Sequence, residues 1–343
     1  MDQSLGFGIY LAARSASSLA VDQAGCLEMK RSLEDAGLEA WTANAFPYGG
    51  FHGSRVKEKA FFPDWSDPRR VVHTLDVARI LARLSPDEPR LSLSTCPLGY
   101  GRNPDRDAEA GRNLRKVQEE LLQLEREGSP RMILGLEAEP DGGLETVAQA
   151  VSWIEENIPD PGDGLRIGIC WDLCHGAVVG EDHSQALKAL EKSNVPLAKV
   201  QISSALRLAG VLEGEALETL RNLARDPWFH QVRGGLEGEE EGSWPDLEPF
   251  LEDVGEGGRV QARIHCHVPL TGPVLGEGLT RTSWEDGLRA AAGAGCMDFE
   301  VETYTLPFLP DSWKEPGGVV DTLEGEIRAA ARCLNLDSPS SGN

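Results

Sequence analysis

The chain has 343 residues, 26% charged and 40% hydrophobic, a balance ordinary for a globular protein that buries a core. Its formal net charge of -23 repels phosphate backbones and anionic surfaces, which argues against a nucleic-acid partner. No run approaches the ~18 apolar residues needed to cross a bilayer. Met1-Asp2-Gln3 opens no signal-peptide pattern, so a cytoplasmic protein is expected. The 7 cysteines are scattered and mostly lie inside apolar runs, which predicts reduced, buried thiols and no disulfide framework.

Strand-like and helix-like segments alternate along the chain, the signature of βα units around a parallel sheet. Residues 5–11 read as a strand and 19–36 as a helix stopped by Gly37. Strand 38–46 leads into Tyr48-Gly49-Gly50-Phe51-His52-Gly53, a substrate loop with His52 as a candidate contact, although a plain turn fits equally well. Helix 71–84, strand 90–96, helix 105–127, strand 131–139, helix 144–158, strand 165–173, helix 185–194 and strand 197–204 follow. Residues 206–258 break the rhythm, with a helix near 215–224 and an acidic, glycine-rich stretch at 234–242. A long excursion between barrel strands is more often a functional lid than a passive linker. Strand 260–268, helix 284–294, strand 297–305 and helix 319–334 complete the pattern, and 337–343 reads as a flexible tail. The expected fold is α/β: a single (β/α)8 TIM barrel over residues 1–336, with the insertion ahead of the strand that carries His265 and His267.

Polar groups stand at the carboxyl ends of several apolar runs: Glu137, Asp172 with His175, Gln201, His265 with His267, and Glu302. A carboxylate or imidazole there is unfavourable unless something satisfies it. In a parallel barrel, the carboxyl ends of the strands are where the chemistry sits. His265 and His267 are two apart and so share a strand face, with Cys266 on the other. Carboxylate and imidazole donors together suit Mn, Zn, Co or Fe, as one or two ions held by Glu137, Asp172, His175, His265, His267 and Glu302. The bland alternatives are Asp172 capping the next helix while His175 bonds a backbone carbonyl, satisfied core histidines, and Glu137, Glu139, Glu300 or Glu302 paired with Arg263 or Lys199. No phosphate loop, nucleophile elbow, HExxH or paired CxxC occurs.

At these residues the chain resembles the xylose-isomerase-like TIM-barrel superfamily. The strings Asn44-Ala45-Phe46-Pro47-Tyr48-Gly49-Gly50-Phe51-His52, Phe62-Pro63-Asp64-Trp65, Lys199-Val200-Gln201-Ile202-Ser203-Ser204-Ala205-Leu206 and Glu302-Thr303-Tyr304-Thr305 resemble its EboE-type metabolite traffic proteins. The resemblance implies a metal-dependent isomerase or epimerase acting on a small polyhydroxylated or carbonyl metabolite, in specialised, even prenylated, metabolite processing beside partner proteins of a biosynthetic cluster. Glu137 and Glu302 would exchange a proton at carbon, His175 would position a substrate oxygen, and Gln201, Lys57 and His52 would contact substrate. Gln201 stands where the sugar epimerases offer His, and His-x-His replaces Asp-x-His, a shift toward softer divalent metals. A non-catalytic metabolite carrier and an endonuclease-IV-like phosphodiester hydrolase are the competing functions; the net charge disfavours the second.

Overall fold

A computed structural model of the chain describes residues 5–50 and 57–336, so His52 and the tail 337–343 lie outside the described residues. In chain order the strands are β1 (Leu5–Tyr10), β2 (Leu38–Asn44), β3 (Arg90–Thr95), β4 (Arg131–Glu137), β5 (Ile167–Asp172), β6 (Leu197–Ile202), β7 (Ala205–Val211), β8 (Val232–Leu236), β9 (Gly242–Trp244), β10 (Arg259–His267), β11 (Leu279–Arg281) and β12 (Phe299–Val301). Seven form a sheet in the order β1-β2-β3-β4-β5-β6-β12, and five form another in the order β11-β7-β10-β8-β9. Registers described in the first sheet are all parallel. The helices between the strands are α1 (Ala13–Val21), α2 (Gln23–Asp35), α3 (Pro68–Leu84), α4 (Pro104–Arg126), α5 (Val147–Asn157), α6 (Leu173–Val179), α7 (His183–Glu191), α8 (Gly214–Leu223), α9 (Leu247–Val254), α10 (Glu285–Gly293) and α11 (Val319–Cys333).

The fold is the expected parallel α/β barrel type, built with seven strands in place of eight. β5 and β6 are buried along their whole length, as strands covered on both faces must be. The strand missing from that sheet is β10. It pairs antiparallel with β7 and β8, while β12 pairs directly with β6. Residues 206–258 are ordered into regular elements: they hold most of β7, together with α8, β8, β9 and α9. The early burial of β10 alternates, the mark of a sheet with one covered face. The helix expected at 19–36 is also divided, because Asp22 turns its carboxylate onto the N–H of Gly25 and starts α2 afresh.

The chain divides into two units, Met1–Trp171 with Lys188–Lys199 and Cys296–Asp298, and Asp172–Leu187 with Val200–Gly295 and Phe299–Asn343. In the first, Trp65, Phe61, Ile80, Leu81, Leu91, Leu93 and Leu114 are fully buried. In the second, Leu206, Leu208, Leu220, Phe250, Ile264, Cys266 and Trp313 belong to one apolar core. No disulfide joins the cysteines, and among the described residues no helix is long and apolar enough to cross a membrane.

β8 contains Gly234 and Gly235, the start of the acidic, glycine-rich stretch. Gly234 is there for close approach: with φ +140, a Cβ would stand 2.2 Å from the carbonyl oxygen of Gln261 and 2.6 Å from Ala262 Cα. Both obstacles are backbone of β10, which cannot swing aside. Gly234→Ala is expected to destabilise the protein by about 2–3 kcal/mol, from overpacking and backbone strain together. The urea midpoint checks it, and an unchanged midpoint would refute the close-approach account.

Candidate metal centre

β5 ends at Asp172 and α6 begins at the next residue, so Asp172 is the helix cap. Its Oδ1 accepts from the N–H of His175 at 2.9 Å and from Ser203 Oγ at 2.9 Å. Ser203 Oγ in turn accepts from the N–H of Cys174 at 2.9 Å. The other oxygen, Oδ2, is buried and has no hydrogen-bond partner among the described residues. Capping and ligation were alternatives in the sequence; one carboxylate has an oxygen for each.

Helix α6 carries His175 inward, and β10 brings His265 and His267 to meet it. His175 Nε2 lies 3.0 Å from His265 Nε2 and 3.5 Å from His267 Nε2. All three imidazoles are buried. Cys266 points the other way into the apolar core, as the strand alternation predicts. The opposite ring nitrogens decide the tautomers. His265 Nδ1 faces Gln231 Oε1 at 2.6 Å, and His267 Nδ1 faces the carbonyl oxygen of Glu302 at 2.8 Å. Both partners can only accept, so each Nδ1 carries the proton and each Nε2 presents a lone pair. These lone pairs are satisfied either by a proton on His175 Nε2 or by a cation bound among the three nitrogens.

Burial holds His265 well below its ordinary pKa, and the neighbouring rings of His175, His267 and His230 add to the depression. A neutral imidazole is the form that binds metal. Asp172, His175 and His267 offer ligand atoms within 4.8 Å of one another, and so do Cys174, His265 and His267. The carboxylate oxygens of Asp172 and Glu302 are equally close. Burial pushes the Cys174 thiol well above its usual range, with Asp172 adding to the effect, so it is a protonated bystander unless a metal displaces the proton. The donors present, imidazoles with an orphaned carboxylate oxygen, fit a divalent ion of borderline softness.

No family model matches the chain, and no curated protein matches it. Among solved structures it is similar to a D-psicose 3-epimerase crystallised with D-fructose, at 13% identity and TM-score 0.47, covering 96% of this chain and 89% of that one. It is similar to the IolI protein with a bound zinc atom, at 12% identity and TM-score 0.49, covering 96% and 88%. A xylose isomerase domain protein from Planctomyces limnophilus is similar at 14% identity and TM-score 0.46, covering 97% and 100%.

The remaining predicted residues are distributed as follows. Glu302 directly follows β12, is buried, and donates its N–H to the carbonyl oxygen of Ile202 at 3.0 Å. Gln201 is buried within β6, in register with Glu300 of β12. Glu137 ends β4 in the first unit, buried, with Cys170 Sγ 4.0 Å from its Oε2. Lys57 opens a short 3-10 helix, Lys57–Phe61, also in the first unit. Arg263 is held by Glu241 and by the carbonyl oxygen of Val178. The first unit has a cleft of about 540 Å³ lined by Tyr48, Pro63, Asp64, Arg69 and Arg106. Its charges already pair, Asp64 with Arg106 and Asp67 with Arg69. Sequence reasoning missed His230, Gln231 and Asp226, which lie behind His265; a neutral amide in an irregular segment has no spacing to betray it.

Proposed function

We propose that the protein is a metal-dependent enzyme of the isomerase or epimerase kind, acting on a small polyhydroxylated or carbonyl metabolite. The observation that carries the reading is the meeting of His175, His265 and His267, with the lone pairs of the last two fixed toward one point. His175, His265, His267 and Asp172 would hold the ion. When bound, such an ion supplies a positive charge that orients vicinal substrate oxygens and stabilises negative charge on them.

Glu302 is the proton-moving group of this reading. Its carboxylate lies beside that of Asp172, in a buried setting where a carboxylate can exchange a proton with a substrate carbon. Ser203 keeps Asp172 oriented, and the burial of the cluster excludes bulk water. The metal reading rests on residues of the second unit alone. The resemblance to EboE-type proteins supports a place in specialised metabolite processing.

Deuterium incorporation tests the reaction. Protein loaded with Mn, Co or Zn is incubated in deuterated water with a panel of ketoses that includes D-psicose and D-fructose. Exchange at a carbon next to the carbonyl, followed by NMR and lost in Glu302→Gln, is the expected result. Metal-loaded protein that binds a ketose without exchanging any carbon-bound proton would instead favour the carrier function.

A further inference from the structure

The segment after α8 grips His265 from three directions. The carbonyl oxygen of Gln231 accepts from the His265 N–H at 2.9 Å. The Gln231 side-chain oxygen accepts from His265 Nδ1 at 2.6 Å, and His230 Nδ1 donates to the His265 carbonyl oxygen at 2.7 Å. His230 is braced by Asp226, whose Oδ2 lies 2.6 Å from His230 Nε2. His230 and Gln231 are both fully buried.

The position of this grip in the sheet explains why it is needed. The β10–β7 register slips between Ile264 and His267, and the β10–β8 ladder ends at Ile264 opposite Val232. His265 thus sits in a bulge, where the regular ladder does not fix the backbone and a side chain can be re-aimed. Residues 230 and 231 take over from the ladder. They hold the N–H and the carbonyl of His265, and one of them also holds its ring.

We propose that Gln231 is a positioning residue for the metal centre. By accepting the Nδ1 proton it keeps His265 in the tautomer whose Nε2 lone pair faces His175 and His267. An amide does this without charge, so the imidazole stays neutral and its orientation, not its basicity, is what Gln231 sets. The inference rests on the metal-centre reading above.

The test compares Zn(II) affinity, by competition with a chromophoric chelator, for the wild-type chain, Gln231→Leu and Gln231→Glu. The metal-free melting temperature reports folding separately. Gln231→Leu is expected to bind Zn(II) about 10–100-fold more weakly, the usual consequence of losing an outer partner of a ligating histidine. Gln231→Glu, which accepts the same proton, should bind within about threefold of wild type or more tightly. A folded Gln231→Leu with wild-type affinity would overturn the proposal. If Gln231→Leu does not fold, Gln231→Glu decides, and a loss beyond about tenfold there overturns it. The wild-type titration comes first: a wild type that binds no Zn(II) refutes the metal centre itself, whereas a metal-binding wild type with an indifferent Gln231→Leu refutes only the role of Gln231.

Discussion

Alanine in place of His267 is expected to remove most of the stabilisation by zinc while leaving the protein folded. Removing an outer partner of a metal ligand typically costs 10–100-fold in affinity, and removing the ligand itself should cost at least about 100-fold. At a zinc concentration of about 100 times the wild-type Kd, bound metal adds about 2.7 kcal/mol to wild-type stability; a 100-fold weaker site would add about 0.4 kcal/mol. Melting with and without Zn(II) reads the difference directly. His267 is the cleaner choice over Asp172, because Asp172 also caps α6 and bonds Ser203. Losing that cap would cost roughly 1 kcal/mol with no metal present. Equal zinc shifts in wild type and His267→Ala would mean that the three imidazoles form a polar core network and not a metal centre.

Acid should destabilise the protein from about pH 6.5 downward, and His73 should account for a measurable share. His73 is buried on α3 in the first unit, where its Nε2 donates to the carbonyl oxygen of Leu11 at 2.9 Å. Its Nδ1 is buried without a hydrogen-bond partner among the described residues, so a second proton would find no acceptor. Burial lowers its pKa to about 4; the Leu11 carbonyl works against this and Arg70 adds to it. A base whose folded pKa lies below its unfolded value costs nothing above pH 6.5. Below that the unfolded chain binds the proton more readily, and stability falls until the folded pKa near 4 is reached. Over that window the difference amounts to about 3 kcal/mol. His73→Gln keeps a donor for Leu11 and cannot titrate. Its urea midpoint should therefore decline less between pH 7 and pH 5 than that of wild type; parallel declines would exclude His73 as a source of acid lability.

Several parallel strands were legible because a barrel strand buried on both faces leaves a continuous apolar run, and β4 and β5 each do. Polar residues at the ends of such runs were legible for the converse reason, since an unsatisfied buried donor or acceptor is too costly to be incidental. That logic singled out Glu137, Asp172, His175, Gln201, His265, His267 and Glu302, all of which are buried. Strand direction was not legible. A run such as Arg259–His267 has the same two-residue period in either orientation, and only its partners make β10 antiparallel. Those partners hid behind glycine: the acidic, glycine-rich stretch that begins at Gly234 holds part of β8, and Gly234 serves the contact between β8 and β10. Asp22 did carry a local signal, an N-cap side chain inside an otherwise continuous helical pattern.

The antiparallel placement of β10 changes what can be removed from this chain. Trimming 206–258 as though it were a dispensable insertion would take away both strands that flank β10, along with Asp226, His230 and Gln231. His175 and Asp172, set by the end of β5 and the start of α6, would keep their local scaffold, while His265 and His267 would lose theirs. A shortened chain could therefore retain a barrel-type core and half of the candidate ligands, and a truncation series would find the boundary of the site well outside the barrel strands.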